Sequence, residues 1–81
     1  MPVTVRLFAA ARAAAGTDSL TVKAGSLAQG IDELLKHCPA LADVLPRCSF
    51  LLNGMAVHGD KAAVTLESGS ELDVLPPFAG G

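Results

Sequence analysis

The sequence predicts an α+β domain in which one main helix packs on one face of a mixed β-sheet. Three observations support this prediction: several short segments alternate apolar and polar residues, one segment has an apolar stripe at helical spacing, and an Asn-Gly pair marks a tight hairpin. The chain has 81 residues, 51% hydrophobic and 17% charged. It therefore has room for one domain and is too apolar to be disordered.

The first two strands are predicted near the start of the chain. Residues 3–8 alternate as Val-Thr-Val-Arg-Leu-Phe, and residues 19–23 alternate as Ser-Leu-Thr-Val-Lys. The alanine-rich segment between them, residues 9–15, is compatible with a helical turn closed by Gly16. A tight connection at residues 16–18 would pair the two strands antiparallel.

The main helix is predicted to begin after Ser26. Gln29 follows three residues later, which is the spacing of a capping box. Gly30 lies inside the helix and would allow close packing on the sheet, and Pro39 should end the helix near His37. The apolar stripe consists of Leu27, Ile31, Leu34 and Leu35.

The second half of the chain contains patterns that predict several short elements and three further strands. Residues 40–45 are expected to form a short helix or turn ended by Pro46, and residues 59–69 a loop with a possible strand at 63–66. The remaining strands are predicted at residues 49–52, 55–57 and 71–75, with Asn53-Gly54 as the turn between the first two. The order ββαβ(β)β with one real helix predicts a ubiquitin-like β-grasp.

Alternation also assigns the two faces of the sheet. The apolar sets should lie under the helix: Val3, Val5 and Leu7 on the first strand, and Leu72 and Val74 on the last. This leaves Phe8 and Leu75 on the face of the sheet away from the helix, called the open face below. Two apolar side chains at the ends of adjacent strands indicate a partner-contact patch, the alternative being that loops cover them.

Composition excludes several classes of function. The net charge of −2 and the pI near 5.4 argue against nucleic-acid binding. No apolar run approaches the length of a membrane span, and the signal-like start is interrupted by Arg12. We therefore expect a cytoplasmic protein without membrane contact.

The cysteines and histidines do not form a recognisable site. Cys38 and Cys48 lack metal-ligand spacing, so we interpret them as reduced, partly buried thiols, the alternatives being a disulfide or a reactive thiol. His37 and His58 have no neighbouring nucleophile or carboxylate pattern. The sequence therefore predicts no metal site.

The chain ends in a more specific motif. We expect a domain over residues 1–75 and a tail over residues 76–81, reading Pro76-Pro77-Phe78-Ala79-Gly80-Gly81. The prolines cannot donate to a sheet ladder, and the six residues can extend about 20 Å. Two glycines fit a channel too narrow for any Cβ. The reactive group that such a tail delivers is the α-carboxylate of Gly81.

A carboxylate must be activated before it can react as an acyl donor. A partner carrying ATP and magnesium could convert it to an acyl-adenylate. Attack by sulfur would then give a thiocarboxylate, and attack by an amine would give an amide. We therefore expect this chain to bind no cofactor itself and to act as a carrier that is not an enzyme alone.

The sequence resembles the MoaD/ThiS sulfur-carrier family, and its molybdopterin branch in particular, over essentially the whole chain. The residues that carry the resemblance are Leu7-Phe8-Ala9, Arg12, Gly16, Asn53-Gly54 and the ending Leu75-Pro76-Pro77-Phe78-Ala79-Gly80-Gly81.

The resemblance implies a function and a set of partners. A MoeB-type E1-like enzyme would adenylylate Gly81, and a persulfide sulfurtransferase would supply the sulfur. A MoaE-type large subunit would accept the tail in a heterotetramer and use the sulfur on cyclic pyranopterin monophosphate. Phe8, Leu75 and Arg12 would lie at the partner interface.

Three other functions remain open at this point. The same thiocarboxylate could feed thiazole synthesis for thiamine, as in the other branch of the family. Gly81 could instead be joined to lysines of target proteins. A plain binding module would use the open face and leave the tail idle.

Overall fold

The computed structural model describes residues 1–77 and confirms the α+β architecture. Five strands form a mixed sheet in the order β2-β1-β7-β4-β5, in which β1 and β7 are parallel and the other neighbours antiparallel. A separate antiparallel pair joins β3 and β6. The strands are β1 Val3–Leu7, β2 Ser19–Val22, β3 Gly25–Ser26, β4 Ser49–Leu52, β5 Met55–Ala56, β6 Thr65–Leu66 and β7 Glu71–Leu75.

Two α-helices are present in the described residues where the sequence predicted one. The alanine-rich segment forms a complete helix, α1 (Ala9–Ala15), which ends at Gly16 with a φ of 72°. The expectation of a tight β1–β2 hairpin is therefore wrong, although the strands do pair antiparallel. Phe8 is also not part of β1, since the strand ends at Leu7 and Phe8 is the N-cap of α1.

The main helix, α2 (Leu27–His37), begins and ends where the sequence predicted. The Ser26 Oγ accepts a hydrogen bond from the Gln29 N–H at 3.1 Å, and the Gln29 Oε1 accepts one from the Ser26 N–H at 2.9 Å. Both halves of the capping box are thus formed. Leu27 and Leu34 are fully buried against the sheet side of the helix.

Short 3₁₀ helices connect the other elements. They span Pro39–Asp43, Leu45–Arg47 and Lys61–Ala63. Pro46 lies inside the second of them instead of ending a helix, because a proline is tolerated in the first turn, where its missing N–H has no partner to bond.

The hairpin between β4 and β5 forms around the predicted turn. Asn53 and Gly54 both have positive φ, 50° and 83°, as a type I′ turn requires. The return strand ends at Ala56, one residue earlier than predicted. All five side chains assigned to the helix-covered face of β1 and β7 are buried, namely Val3, Val5, Leu7, Leu72 and Val74.

Candidate functional site

The end of β7 determines where the chain leaves the sheet. This strand lies in the middle of the five-stranded sheet, between the parallel β1 and the antiparallel β4, and ends at Leu75. Pro76 and Pro77 follow, are exposed and belong to no strand. The division into a domain over residues 1–75 and a tail over 76–81 stays a prediction, since Phe78, Ala79, Gly80 and Gly81 lie outside the described residues.

Phe8 lies beside this exit. Its backbone N–H donates to the carbonyl of Val74 at 3.1 Å, which extends the β1–β7 pairing by one bond. Its side chain is 38% exposed, and the ring centroid is 5.7 Å from the Arg6 Cζ. An apolar ring is therefore held next to the start of the tail, accessible from solvent.

An ion cluster occupies the open face between β1 and β7. The Arg6 guanidinium donates to both carboxylate oxygens of Asp73, at 2.8 and 3.0 Å, and its Nη2 lies 3.1 Å from Glu71 Oε1. The pKa of Arg6 is raised, chiefly by the hydrogen bonds to Asp73; loss of hydration opposes this, and the negative charges of Asp73 and Glu71 add to the increase. Arg6 and Asp73 are register partners, so the parallel pairing places them together.

Sequence reasoning did not find this cluster. Alternation with Leu72 and Val74 puts Asp73 on the open face, where a carboxylate is expected to be exposed, yet only 8% of the residue is exposed. The residues are 67 positions apart, and alternation within a strand does not report which strand lies beside it. A signal was present, since a carboxylate in the middle of an apolar strand usually needs a cation nearby.

Arg12 and Phe8 share a shallow groove beside the cluster. This groove is also lined by Arg6 and by Asp18, which lies in the connection after α1. Leu75 is half-buried and does not line this groove. The structure therefore brings two of the three predicted interface residues together and places Leu75 on the neighbouring strand, opposite Ser49. Their role at an interface stays a prediction.

A second cavity opens on the other side of Phe8, at the base of the tail. It has a volume of about 220 Å³. Phe8 and α1 form part of its wall, Val44 and Cys48 another part, and Pro76 and Pro77 complete it. The sequence did not indicate it, because it is assembled from the 3₁₀ region, whose residues show no periodic pattern.

The two cysteines are free and half-buried, in agreement with the interpretation as small apolar side chains. The Cys38 Sγ donates to the Ala14 carbonyl at 3.4 Å, and the Cys48 Sγ donates to the Val44 carbonyl at 3.2 Å. Partial burial raises the pKa of Cys48, which keeps it as a thiol at neutral pH.

No group of three or more His, Cys, Asp and Glu side chains within residues 1–77 is arranged to hold a metal ion. None of the helices in this range has the length and apolar character that crossing a bilayer requires.

Comparison with known proteins identifies the family. A sequence profile of the ThiS family matches residues 5–81, nearly the whole chain. The chain belongs to the ThiS family. This confirms the resemblance to MoaD/ThiS proteins, and the curated relative points the same way: the molybdopterin synthase sulfur carrier subunit of Chlamydomonas reinhardtii is 35% identical over 85 residues, covering all of both chains.

Solved structures of similar proteins confirm the ubiquitin-like β-grasp of this ThiS-family chain. The small archaeal modifier protein 1 of Methanosarcina acetivorans superposes with a TM-score of 0.83 and 28% identity, covering 99% of this chain and 96% of the relative. A complex of subunits 1 and 2 of the molybdopterin-converting factor from Helicobacter pylori contains a chain with a TM-score of 0.69 and 27% identity, with both chains fully covered.

Proposed function

We propose that this protein is the sulfur-carrier small subunit of molybdopterin synthase, with the carboxylate of Gly81 as its working group. The observation that carries the proposal is the sequence Pro-Pro-Phe-Ala-Gly-Gly directly after the central strand β7. A rigid sheet centre anchors the start of the tail, while prolines prevent the ladder from continuing into it. The names of the Chlamydomonas and Helicobacter relatives support the molybdopterin branch.

The proposed chemistry converts the terminal carboxylate into a sulfur donor. The carboxylate oxygen attacks the α-phosphorus of ATP, and pyrophosphate leaves. A persulfide sulfur then displaces AMP from the acyl carbon, and cleavage of the S–S bond by a second thiol leaves the thiocarboxylate. Gly80 and Gly81 have no Cβ, so the acyl carbon can be reached in a narrow channel.

Partners supply everything else in this proposal. A MoeB-type E1-like enzyme holds ATP and magnesium, and a persulfide sulfurtransferase supplies sulfur. A MoaE-type large subunit holds the pterin and the catalytic side chains in a heterotetramer of two small and two large subunits. The chain itself binds no cofactor and is not catalytic alone. Because activation consumes ATP, we place the reaction in the cytoplasm.

The test is formation of the thiocarboxylate. The full chain is incubated with an E1-like enzyme, ATP, magnesium and a sulfur donor, and a thioacid-selective reagent detects the product. Intact mass alone is ambiguous, because exchange of oxygen for sulfur resembles oxidation of Met1 or Met55. We expect labelling of the native chain and none of a chain lacking Gly81. Absence of labelling with several such enzymes would contradict the proposal.

A protein modifier is the second candidate, and the high TM-score to the small archaeal modifier protein favours it. In that case an amine attacks the activated carboxylate and forms an amide with a lysine of the target. Incubation with the activating enzyme and lysates would then give higher-mass conjugates that depend on Gly81.

Copurification distinguishes the thiamine branch, since a thiazole synthase would be recovered in place of a pterin-binding subunit.

A further inference from the structure

The two edges of the five-stranded sheet differ in how well they could pair with another strand. The outer strands are β2 (Ser19–Val22) and β5 (Met55–Ala56). β5 has only two residues, and a very short edge strand gives little support for pairing. β2 has four residues, and its sequence Ser-Leu-Thr-Val contains neither the charges nor the proline that commonly protect an edge. The edge of β2 is therefore open to an added strand.

The ladder between β1 and β2 determines which backbone groups of β2 point away from the sheet. The Leu7 N–H donates to the Asp18 carbonyl at 2.9 Å, at the end of the antiparallel β1–β2 register. In such a ladder every second residue directs its N–H and C=O toward the neighbouring strand, and the residues between them direct theirs away. Ser19, Thr21 and Lys23 therefore present their backbone groups on the outer side.

Two of these outward groups already have partners within the chain. The Glu33 carboxylate accepts from the Lys23 N–H at 3.1 Å, and the Thr17 hydroxyl donates to the Ser19 carbonyl at 3.3 Å. Within residues 1–77, the outward groups that remain for another strand are the N–H of Ser19, both groups of Thr21 and the carbonyl of Lys23.

These remaining groups are complementary to themselves across a two-fold axis. In an antiparallel pair of β2 strands centred on Thr21, the two copies of Thr21 donate to and accept from each other. The same register places the Ser19 N–H of each copy opposite the Lys23 carbonyl of the other. All these bonds can form while the contacts to Glu33 and Thr17 stay in place.

We propose that the chain pairs with a second copy of itself through β2, so that the two sheets become one continuous sheet. Leu20 is half-buried in the single chain and lies opposite Val22 of the second copy in this register, which adds an apolar cross-strand contact. A contact of one short strand buries less than the roughly 1,200 Å² of a stable interface, so we expect a Kd of about 0.1–1 mM.

Charge and position both permit this pairing. The groove beside the edge has two positive and two negative side chains, so two copies do not meet with charges of one sign only. Its lining consists of Lys23, Gln29, Asp32, Glu33 and Lys36. β1 separates β2 from β7, so the place where the chain leaves the sheet stays accessible in the dimer.

Amide hydrogen exchange of the native chain, measured by NMR, tests the proposal without any substitution. Between about 0.05 mM and about 2 mM chain, exchange of the Ser19 and Thr21 amides should slow about two- to fourfold as the dimer forms. The Leu20 amide points toward β1 in both states and provides the internal control, with a rate that does not depend on concentration. Equal rates for Ser19 and Thr21 at both concentrations would overturn the proposal.

Thr21→Pro removes the central donor of the pairing. Proline is tolerated at an edge position whose N–H faces solvent, so the variant should fold. In sedimentation equilibrium at about 2 mM it should have the monomer mass of 8.2 kDa. The matched control Thr21→Val keeps the N–H and a β-branched side chain and should dimerise like the native chain. Dimerisation of Thr21→Pro with native affinity would contradict pairing through β2.

Removal of the two internal partners tests the register. The double variant Thr17→Ala/Glu33→Ala frees the Ser19 carbonyl and the Lys23 N–H, which the proposed register places opposite each other across the axis. Two further hydrogen bonds can then form, and the Kd should fall about tenfold. A Kd that stays the same or rises would overturn the proposed register. None of these measurements involves Gly81, so their outcome is separate from that of the thiocarboxylate test.

Discussion

Gly30 allows α2 to approach the β3–β6 pair closely. A Cβ at this position would lie 2.9 Å from the Leu66 Cδ1 and 3.5 Å from the Val22 Cγ2. Leu66 is fully buried, so its methyl group cannot swing into solvent. Overpacking costs about 1–3 kcal/mol, whereas replacing a helical glycine by alanine gains about 1 kcal/mol. We expect Gly30→Ala to lower the free energy of unfolding by about 0–2 kcal/mol, as measured by urea denaturation.

The control for Gly30 is a chain in which the crowding group is removed. In a Leu66→Val background the Cδ1 is absent, and Gly30→Ala should then stabilise the fold by up to about 1 kcal/mol through helix propensity. If Gly30→Ala has the same effect in both backgrounds, close approach to Leu66 is not the reason for the glycine.

At the scale of elements, the capping box determines where α2 begins. Ser26→Ala removes the acceptor for the Gln29 N–H and should cost about 1 kcal/mol of unfolding free energy. Ser26→Asp keeps an acceptor at the N-cap and should cost clearly less in the same urea titration. Equal losses would show that the Ser26 side chain contributes through something other than the cap.

In the β4–β5 turn, the need for glycine at position 54 comes from the backbone conformation alone and not from a lack of space. Gly54 has a φ of 83°, and no atom lies within 4 Å of the place its Cβ would occupy. Gly54→Ala should therefore lower the free energy of unfolding by about 1–2 kcal/mol through left-handed strain. Gly54→Asn should lose less, because asparagine tolerates this region. A larger loss with Asn than with Ala, by thermal or urea unfolding, would contradict this explanation.

Asn53 shows what the sequence could and could not predict about such elements. Its turn conformation follows from the Asn-Gly pair, but its Oδ1 also accepts from the Glu71 N–H at 2.9 Å, which ties the turn to β7. That contact joins segments far apart in sequence, as does the Arg6–Asp73 pair. Local patterns predicted the strands, the cap and the core, whereas the register between distant strands had no local signal.

Helix α1 illustrates a second limit of local patterns. Seven residues that are all alanine apart from Arg12 have high helix propensity but no apolar stripe that distinguishes a helix from a turn. Packing of Ala11 against the core, where it is buried, selects the helix. The cavity beside the tail followed only from this helix and the 3₁₀ region together, so the sequence could not indicate it.

At the scale of the whole molecule, the pairing of β1 with β7 brings the two ends of the described chain to the centre of one sheet. The tail therefore starts from the most constrained strand, beside Phe8 and its hydrogen bond to Val74. The open face around this exit carries an apolar ring, a half-buried Leu75 and an ion pair in which Asp73 is nearly buried and Arg6 is exposed. Apolar groups surrounding a paired charge are suited to covering by another protein surface.

If that surface binds the proposed large subunit, Phe8→Ala and Leu75→Ala should weaken binding more than they weaken the fold. Phe8 is 38% exposed, so its truncation removes fewer contacts within the chain, and costs less stability, than truncation of a fully buried side chain would. Truncating an aromatic at an interface centre commonly costs more than about 1 kcal/mol, and we expect the Kd to rise about tenfold. Isothermal titration with the copurified partner measures the Kd, and urea unfolding of the free variants measures stability.

Leu35→Ala provides the opposite control for this comparison. Leu35 lies on α2, packs against the core and is therefore on the covered side of the sheet. Its truncation should lower the free energy of unfolding and leave the Kd for the partner unchanged. If Phe8→Ala and Leu75→Ala instead behave like Leu35→Ala, losing stability without losing affinity, these side chains support the domain and the partner binds elsewhere. Binding then has to be sought through the tail alone, whose carboxylate chemistry does not require the open face.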